Sequence, residues 1–326
     1  MSKPETPPQG TRVSVIDIGS NSIRQAVAEL FADKRVRILN EIKVTPRLSR
    51  GLETTGLLPG DAMEAAEAAV RRMISTAKRL GVEHTRVVAT SAVREAGNGE
   101  EFTRRIAAIA GAPVRILSGE EEALLCYRSA QAHFDFSSGS WAVVDLGGGS
   151  LELVLSNNGH VEQVASLPCG AVRLTERYLQ PGPGIPALEM LRKNVNAEIS
   201  RIITASRWQA CEIVGSGGAF TSLARMISAR RPGAAESDKA TPGEAARVTR
   251  DELESLLDQL HRLSLEELLR VPGLNRSRAD IIVAGLAVIA EVAACFNAPG
   301  VVTSAHGIRE GLLLEAADQI SAFPHG

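Results

Sequence analysis

The sequence predicts an α/β protein of two similar domains, each a mixed sheet flanked by helices, with a cleft between them. Three observations carry that prediction. First, "VSVIDIGSNSIRQAVAEL" (Val13–Leu30) and "WAVVDLGGGSLELVLS" (Trp141–Ser156) share one layout: an apolar run reaches an aspartate, breaks at a small-residue turn and becomes apolar again. Second, the elements after each segment recur in the same order. Third, 326 residues are too many for one small core and suit two domains of ordinary size.

Taken in order, residues 1–11 read as a flexible leader, rich in proline and without the apolar core of a secretion signal. The first domain is expected over 12–133 as strands Arg12–Asp17, Ile23–Leu30 and Arg35–Val44, joined by turns at Gly19–Ser22 and Ala32–Lys34. A helix follows at "DAMEAAEAAVRRMISTAKRLG", with Asp61 as its N-cap and Gly81 as its stop. Next come a strand at "TRVVATS", a helix at "EEFTRRIAAIAG", a strand at "PVRIL" and a helix from Glu120. The boundary falls near "AHFDFSSGS", and the second domain is expected over 134–326.

That second domain repeats the pattern: a strand ending at Asp145, a Gly-Gly-Gly-Ser turn, then strands "LELVLS" and "VEQVASL" around the turn "NNGH". Helices are expected around "AVRLTERYL" and "ALEMLRKNVNAEISRIITA", and the strand "CEIVGSGG" precedes another. The polar segment "SARRPGAAESDKATPGEAARVTR" reads as an exposed loop. The apolar stretch Ala279–Phe296 is interrupted by Asp280 and Glu291 and falls short of the roughly 20 apolar residues of a membrane span, so it is expected as a buried helix. A last helix at about 308–322 is placed to return to the first domain.

Composition excludes some classes. Net charge is −2 and aromatics are 3%, without the basic excess and stacking rings of a general nucleic-acid binder. The cysteines Cys126, Cys169, Cys211 and Cys295 are scattered, which argues against structural zinc or a disulfide framework and fits a reducing cytoplasm. An anionic ligand must therefore be held by a local site.

The two turns are candidates for that site. Small residues let backbone N–H groups converge on an anion, so Gly19, Ser20, Asn21 and Ser22 make one cradle and Gly147, Gly148, Gly149 and Ser150 the other. The aspartate opening each loop would repel phosphate and is better suited to Mg2+, which bridges carboxylate and phosphate oxygens. Asp17, Asp145 and Glu152 are the candidate metal ligands. A tight hairpin turn is the bland reading of either loop alone, and two copies at matching places weaken it.

In "ILSGEEEALLCY", Ser118 and Glu121 have capping-box spacing and Glu120 is expected in solvent. Glu122 is left free to deprotonate a water for attack on a terminal phosphorus. Arg94, just after a strand end, is expected on phosphate oxygens, the alternative being an ion pair with Glu95 or Glu100. Arg24, Lys43, Arg47, Arg50 and Arg309 could extend a binding track, and His306 reads as a satisfied loop histidine. The Gly-rich turn in "IVGSGGAFTSLARM" serves either a nucleotide or close packing of helix on strand.

Together these blocks, with "ATSAVREAGNGEEF", "SLPCGAVRLTERYL", "PGLNRSRADIIVAG" and "GIREGLL", resemble the exopolyphosphatase/guanosine pentaphosphate phosphohydrolase (Ppx/GppA) family. That family lies within the actin-like sugar kinase and chaperone ATPase superfamily. The resemblance spans the chain after the leader. It implies ribonuclease H-like (actin-like ATPase) domains, phosphate loops at Asp17–Ser22 and Asp145–Ser150, Mg2+ near Asp145 and Glu152, a phosphate-binding Arg94 and a catalytic Glu122. It leaves room for Mn2+ in place of Mg2+ and for a helping K+. The implied substrates are inorganic polyphosphate or guanosine penta- or tetraphosphate, without nucleic acid or membrane; a homodimer is one option for assembly. Two features depart from the family: Ser49 in "RLSRGL", where glycine is frequent, and an end soon after Gly311 without the long helical extension. The expected activity is hydrolysis of a terminal phosphoanhydride. A polyphosphate/ADP phosphotransferase and a non-catalytic alarmone sensor are the other classes weighed.

Overall fold

The computed structural model describes residues 10–179, 185–204, 208, 211–230 and 245–322. The first lobe runs β1 (Thr11–Ile18), β2 (Ile23–Leu30), β3 (Val36–Val44), α1 (Leu52–Thr55), α2 (Gly60–Arg79), β4 (His84–Ala89), α3 (Ser91–Glu95), α4 (Gly99–Ala110) and β5 (Val114–Ile116). Helix α5 (Gly119–Gln131) then leads to β6 (Ser140–Leu146), β7 (Leu151–Asn157) and β8 (His160–Leu167). Next come α6 (Ala171–Tyr178), α7 (Ile185–Ile202), β9 (Glu212–Gly217) and α8 (Gly218–Ser228). The remainder is β10 (Ala246–Thr249), α9 (Arg250–Leu260), α10 (Leu265–Leu268), α11 (Ile282–Cys295), β11 (Gly300–Thr303) and α12 (Ile308–Ala322).

The two sheets are built alike. In the first, of order β3-β2-β1-β4-β5, an antiparallel meander is extended by strands parallel to β1. In the second, of order β10-β11-β9-β6-β7-β8, β6 to β8 form the meander and β9 and β11 the parallel extension. The edge strand β10, antiparallel to β11, is an addition.

Burial explains why β1 reads as one apolar run. Ile16 and Ile18 pack with Met63, Ala66, Val70 and Met73 of α2, whereas Val13 and Val15 pack with Leu312, Leu313, Ala316 and Ala317 of α12. A strand covered on both faces has no polar side to alternate with. In the second sheet, Ala142 and Val144 share a core with α7 and α11, while Val143 and Val154 meet Ala123, Tyr127 and Ala130 of α5. The helix preceding β6 therefore covers the second sheet and the last helix covers the first, and α5 and α12 pack against each other.

Helix α11 is buried from Ile282 to Ala293. Each fully buried Ile or Leu side chain there contributes about 1.5–3 kcal/mol. Among the described residues no helix is long and apolar enough to cross a membrane.

Local expectations are corrected in three places. Asp61 is not an N-cap: α2 begins at Gly60 behind Pro59 without a side-chain cap, and Asp61 pairs with Arg50. "TRVVATS" leaves the sheet at Ala89, and Thr90 opens α3. The loop expected over 228–250 ends in structure, since β10 supplies Thr249, whose hydroxyl forms a capping box with Glu252 at the start of α9. Residues 231–244 lie outside the described residues.

Candidate active site

Each meander opens with the same four-residue turn. Gly19 N–H donates to the Ser22 carbonyl at 3.2 Å, and Gly147 N–H to the Ser150 carbonyl at 3.0 Å. In the first loop the Ser20 and Asn21 carbonyls accept from the Ser49 and Arg47 N–H groups at 2.9 and 3.1 Å. In the second, the carbonyls of Gly147, Gly148 and Gly149 accept from Ala171, Val172 and Gly170 at 3.0, 2.9 and 3.2 Å. Those donors are the N–H groups at the start of α6, which have no partner within their own helix. A trans peptide carries N–H and C=O on opposite sides. Carbonyls engaged from behind therefore turn the next N–H groups, on Asn21, Ser22, Gly148, Gly149 and Ser150, forward.

The two loops meet tip to tip. A Cβ on Gly149 would stand 2.3 Å from Ser91 Oγ and 2.8 Å from Ser20 Oγ, so any side chain there would have to push both hydroxyls aside. Between the lobes lies a cleft of about 510 Å3, lined by Asp17, Gly19, Ser20, Asn21, Glu122, Asp145, Gly147, Gly148, Gly149, Ser150 and Glu152. Ser22 and Arg94 do not line it.

The carboxylates enter in register. Asp17 lies directly opposite Arg24 on β2, whereas Asp145 lies directly opposite Glu152 on β7. Directly opposed residues of an antiparallel pair share a face. Ser216 donates a hydrogen bond to Asp145, and Ser166 donates one to Glu152 at 2.8 Å. Asp17 Oδ1 is buried without a hydrogen-bond partner. Burial lifts the Asp17 carboxyl to about 6 against the pull of Arg24 and Arg309. Burial also raises Asp145 despite the Ser216 bond. Glu152 is raised by burial and then by Asp145.

Glu122 joins this set from α5. The capping box forms between Ser118 and Glu121, Glu120 is exposed, and Glu122 is only 3% exposed. Burial and then the Glu152 charge raise its carboxyl above the usual range, opposed by Arg94. Arg94 is paired with Glu122 and donates to the Leu117 carbonyl. It pairs with neither Glu95 nor Glu100, because Glu95 is engaged by Ser91 and Arg173.

The expected cation track is split. Arg47 pairs with Asp280, Arg50 with Asp61, and Arg309 with Glu41. Arg24 and Lys43, directly opposed on β2 and β3, have no ion-pair partner among the described residues. Lys43 is solvent-exposed on β3, and partial desolvation, then the like charges of Arg278 and Arg24, pull its ammonium down to about 7. Arg278, which sequence reasoning passed over within "PGLNRSRADIIVAG", lines the cleft, and burial followed by Arg24 lowers it to about 10. Its seat explains the Gly-rich turn: a Cβ on Gly218 would fall 1.6 Å from the Arg278 guanidinium carbon. The signal available was an arginine held in a short 3-10 turn, Arg276–Arg278, just ahead of α11.

Helix α6 bridges the lobes, also unforeseen. Arg173 donates to the Gly149 carbonyl at 2.8 Å and pairs with Glu53 and Glu95. The Glu176 carboxylate accepts from Gly51 N–H at 3.0 and 3.2 Å. At the rim, His306 pairs with Glu310 and stacks on His133.

Comparison with known proteins agrees with this architecture. An uncharacterised protein of Streptomyces coelicolor is 33% identical over 307 residues, spanning 93% of this chain and 89% of its own. A crystal structure of the Aquifex aeolicus Ppx/GppA family member superposes with TM-score 0.76 at 29% identity, covering 97% of this chain and 99% of its own. An exopolyphosphatase from Cytophaga hutchinsonii gives TM-score 0.83 at 23% identity over 95% of this chain and 98% of its own, a likeness of fold. The fold is thus the two-domain actin-like α/β fold. The model of the Ppx/GppA phosphatase family matches residues 23–320, and the chain belongs to that family.

Proposed function

We propose that the protein is a Mg2+-dependent exopolyphosphatase, releasing orthophosphate from the end of inorganic polyphosphate by attack of a water activated by Glu122. The observation that carries this reading is the gathering of Asp17, Glu122, Asp145 and Glu152 in one interlobe cleft, with Arg24 and Arg278 among the lining residues.

The donors suit the ion. The directly opposed carboxylates of half-buried Asp145 and buried Glu152, with an orphaned buried Asp17 oxygen, form a hard-oxygen set that calls for a cation. Asp145 and Glu152, with Asp17 across the cleft, are the residues to hold Mg2+. When bound, it neutralises charge on the terminal phosphoryl group and lowers the opposition to an ionised Glu122.

The remaining work falls to the chain. The forward N–H groups of both loops orient the terminal phosphate. Glu122 takes a proton as the water oxygen bonds to phosphorus, and the phosphoanhydride bond breaks toward the shortened chain. Arg94, paired with Glu122, positions that carboxylate. Among the described lining residues His306 is the one ring, so a purine finds little to stack on, and this favours polyphosphate over guanosine pentaphosphate. Four free cysteines accord with a cytoplasmic enzyme.

The test is orthophosphate release from polyphosphate and from guanosine pentaphosphate, with Mg2+, by the wild type and by Glu122→Ala. We expect polyphosphate to be the better substrate and the variant to lose about 10²–10⁴ in rate while still binding it. Unchanged turnover would remove Glu122 from the reaction. ATP formation from polyphosphate and ADP without free phosphate would replace hydrolysis by transfer.

A further inference from the structure

We propose that His133, His306 and Glu310 form a binding site for a transition-metal dication, Zn2+ first among them, where α5 meets α12 at the cleft rim. One ligand atom from each of the three lies within 4.8 Å of the others. His133 Nε2 is 2.9 Å from Glu310 Oε1, and His306 Nδ1 is 3.0 Å from Glu310 Oε2. The imidazoles stack with centroids 3.9 Å apart and planes inclined by 18°, so both present nitrogen to one carboxylate. Zn2+ bonds imidazole nitrogen at about 2.0–2.1 Å, which puts neighbouring tetrahedral donors roughly 3.4 Å apart. Coordination requires the two stacked rings to turn apart so that both nitrogen lone pairs converge, and it replaces the hydrogen bonds from the imidazoles to Glu310.

The surroundings suit an ion. Ser129, buried on α5, donates to Glu310 Oε2 at 2.7 Å and orients the carboxylate from behind, as outer-shell partners of metal ligands do. The backbone of His306 is held by Ser304 Oγ at 3.2 Å. Side-chain exposures of 35% for His133, 32% for His306 and 23% for Glu310 leave the donors reachable from solvent and a fourth position open to water. Donor chemistry separates this site from the cleft. Imidazole nitrogen selects zinc, copper or nickel, whereas the all-oxygen set Asp17, Asp145 and Glu152 suits magnesium. Because α5 packs on the second sheet and α12 on the first, an ion held here ties the lobes together.

The test uses the full chain, stripped with a chelator and kept in millimolar Mg2+ so that the cleft carboxylates are engaged. Co2+ is titrated as a visible probe, and Zn2+ then displaces it. We expect one equivalent of Co2+ with tetrahedral d–d absorption, weakened about tenfold or more in His133→Gln and His306→Gln and retained in Asp145→Asn. Zn2+ should raise the melting temperature of the wild type and not of His133→Gln, a partly exposed position whose substitution should keep the fold, with circular dichroism as the check. Absence of d–d bands at micromolar Co2+ would overturn the proposal. So would bands that survive in both histidine variants or vanish in Asp145→Asn, which would return the ion to the cleft. Because the readout is spectroscopic, its failure leaves the hydrolytic reading untouched.

Discussion

The β1–β2 and β6–β7 hairpins have the same backbone and opposite electrostatics. Both open on an aspartate and close a four-residue turn with the same hydrogen bond. The residue facing that aspartate is Arg24 in the first lobe and Glu152 in the second. One hairpin sets an arginine opposite its aspartate, while the other sets two carboxylates face to face, half-buried Asp145 and buried Glu152. The loops differ in support as well: residues 47–49 back the first, and the start of α6 backs the second. A duplicated scaffold thus divides the labour. On the proposed reading, the first loop would offer polar side chains to an anion, and the second bare backbone beside a place for a dication.

The sharpest way to break that comparison is to neutralise one carboxylate in each hairpin in turn. Glu152→Gln should lower phosphate release about 10²–10³-fold, the scale of losing one preorganised electrostatic group, and abolish the rise in melting temperature on adding Mg2+. Asp17→Asn, in the hairpin that already holds an arginine, should cost about tenfold, or ~1.4 kcal/mol in the barrier, and keep most of the Mg2+ effect. Equal losses in the two variants would erase the asymmetry.

Gly149→Ala tests the tip-to-tip contact. Its methyl group must displace Ser91 and Ser20, so unfolding free energy should fall by about 1–3 kcal/mol and KM should rise. The smallest effect concerns the cations. Lys43, lowered to about 7 by partial desolvation and by Arg278 and Arg24, is charged below that pH and neutral above it. Because Lys43 lies outside the cleft lining and can act on a polyanion only at a distance, its loss of charge should raise the KM for polyphosphate no more than a few-fold as pH increases from 6 to 8.5, and Lys43→Met should flatten the profile near the high-pH value. An unchanged slope in Lys43→Met would assign the pH dependence elsewhere.

Much of this was legible because it is local. Apolar periods and small-residue turns announced the hairpins, and the Ser118–Glu121 spacing set Glu121 aside so that Glu122 was the acid left to turn inward. Even the Asp17–Arg24 pairing follows from a four-residue turn once the register is counted. What stayed hidden is non-local. Arg94 meets Glu122 across 28 positions, and Arg47 meets Asp280 across 233, contacts that depend on lobe packing. Asp61 misled because an acidic residue in a first turn serves the helix dipole as well as a cap does, and Arg50 was close enough to claim it.

The exchange of covering helices has a consequence for biogenesis. The face of the first sheet carrying Val13, Val15, Ala26 and Leu30 is roofed by residues of α12, nearly three hundred positions later in the chain. During vectorial synthesis that greasy wall has only Leu117 and Leu125 against it until Ile308–Ala322 emerges, long after β1 to β5 have left the ribosome. The N-terminal half therefore completes this face of its core only when α12 packs onto it.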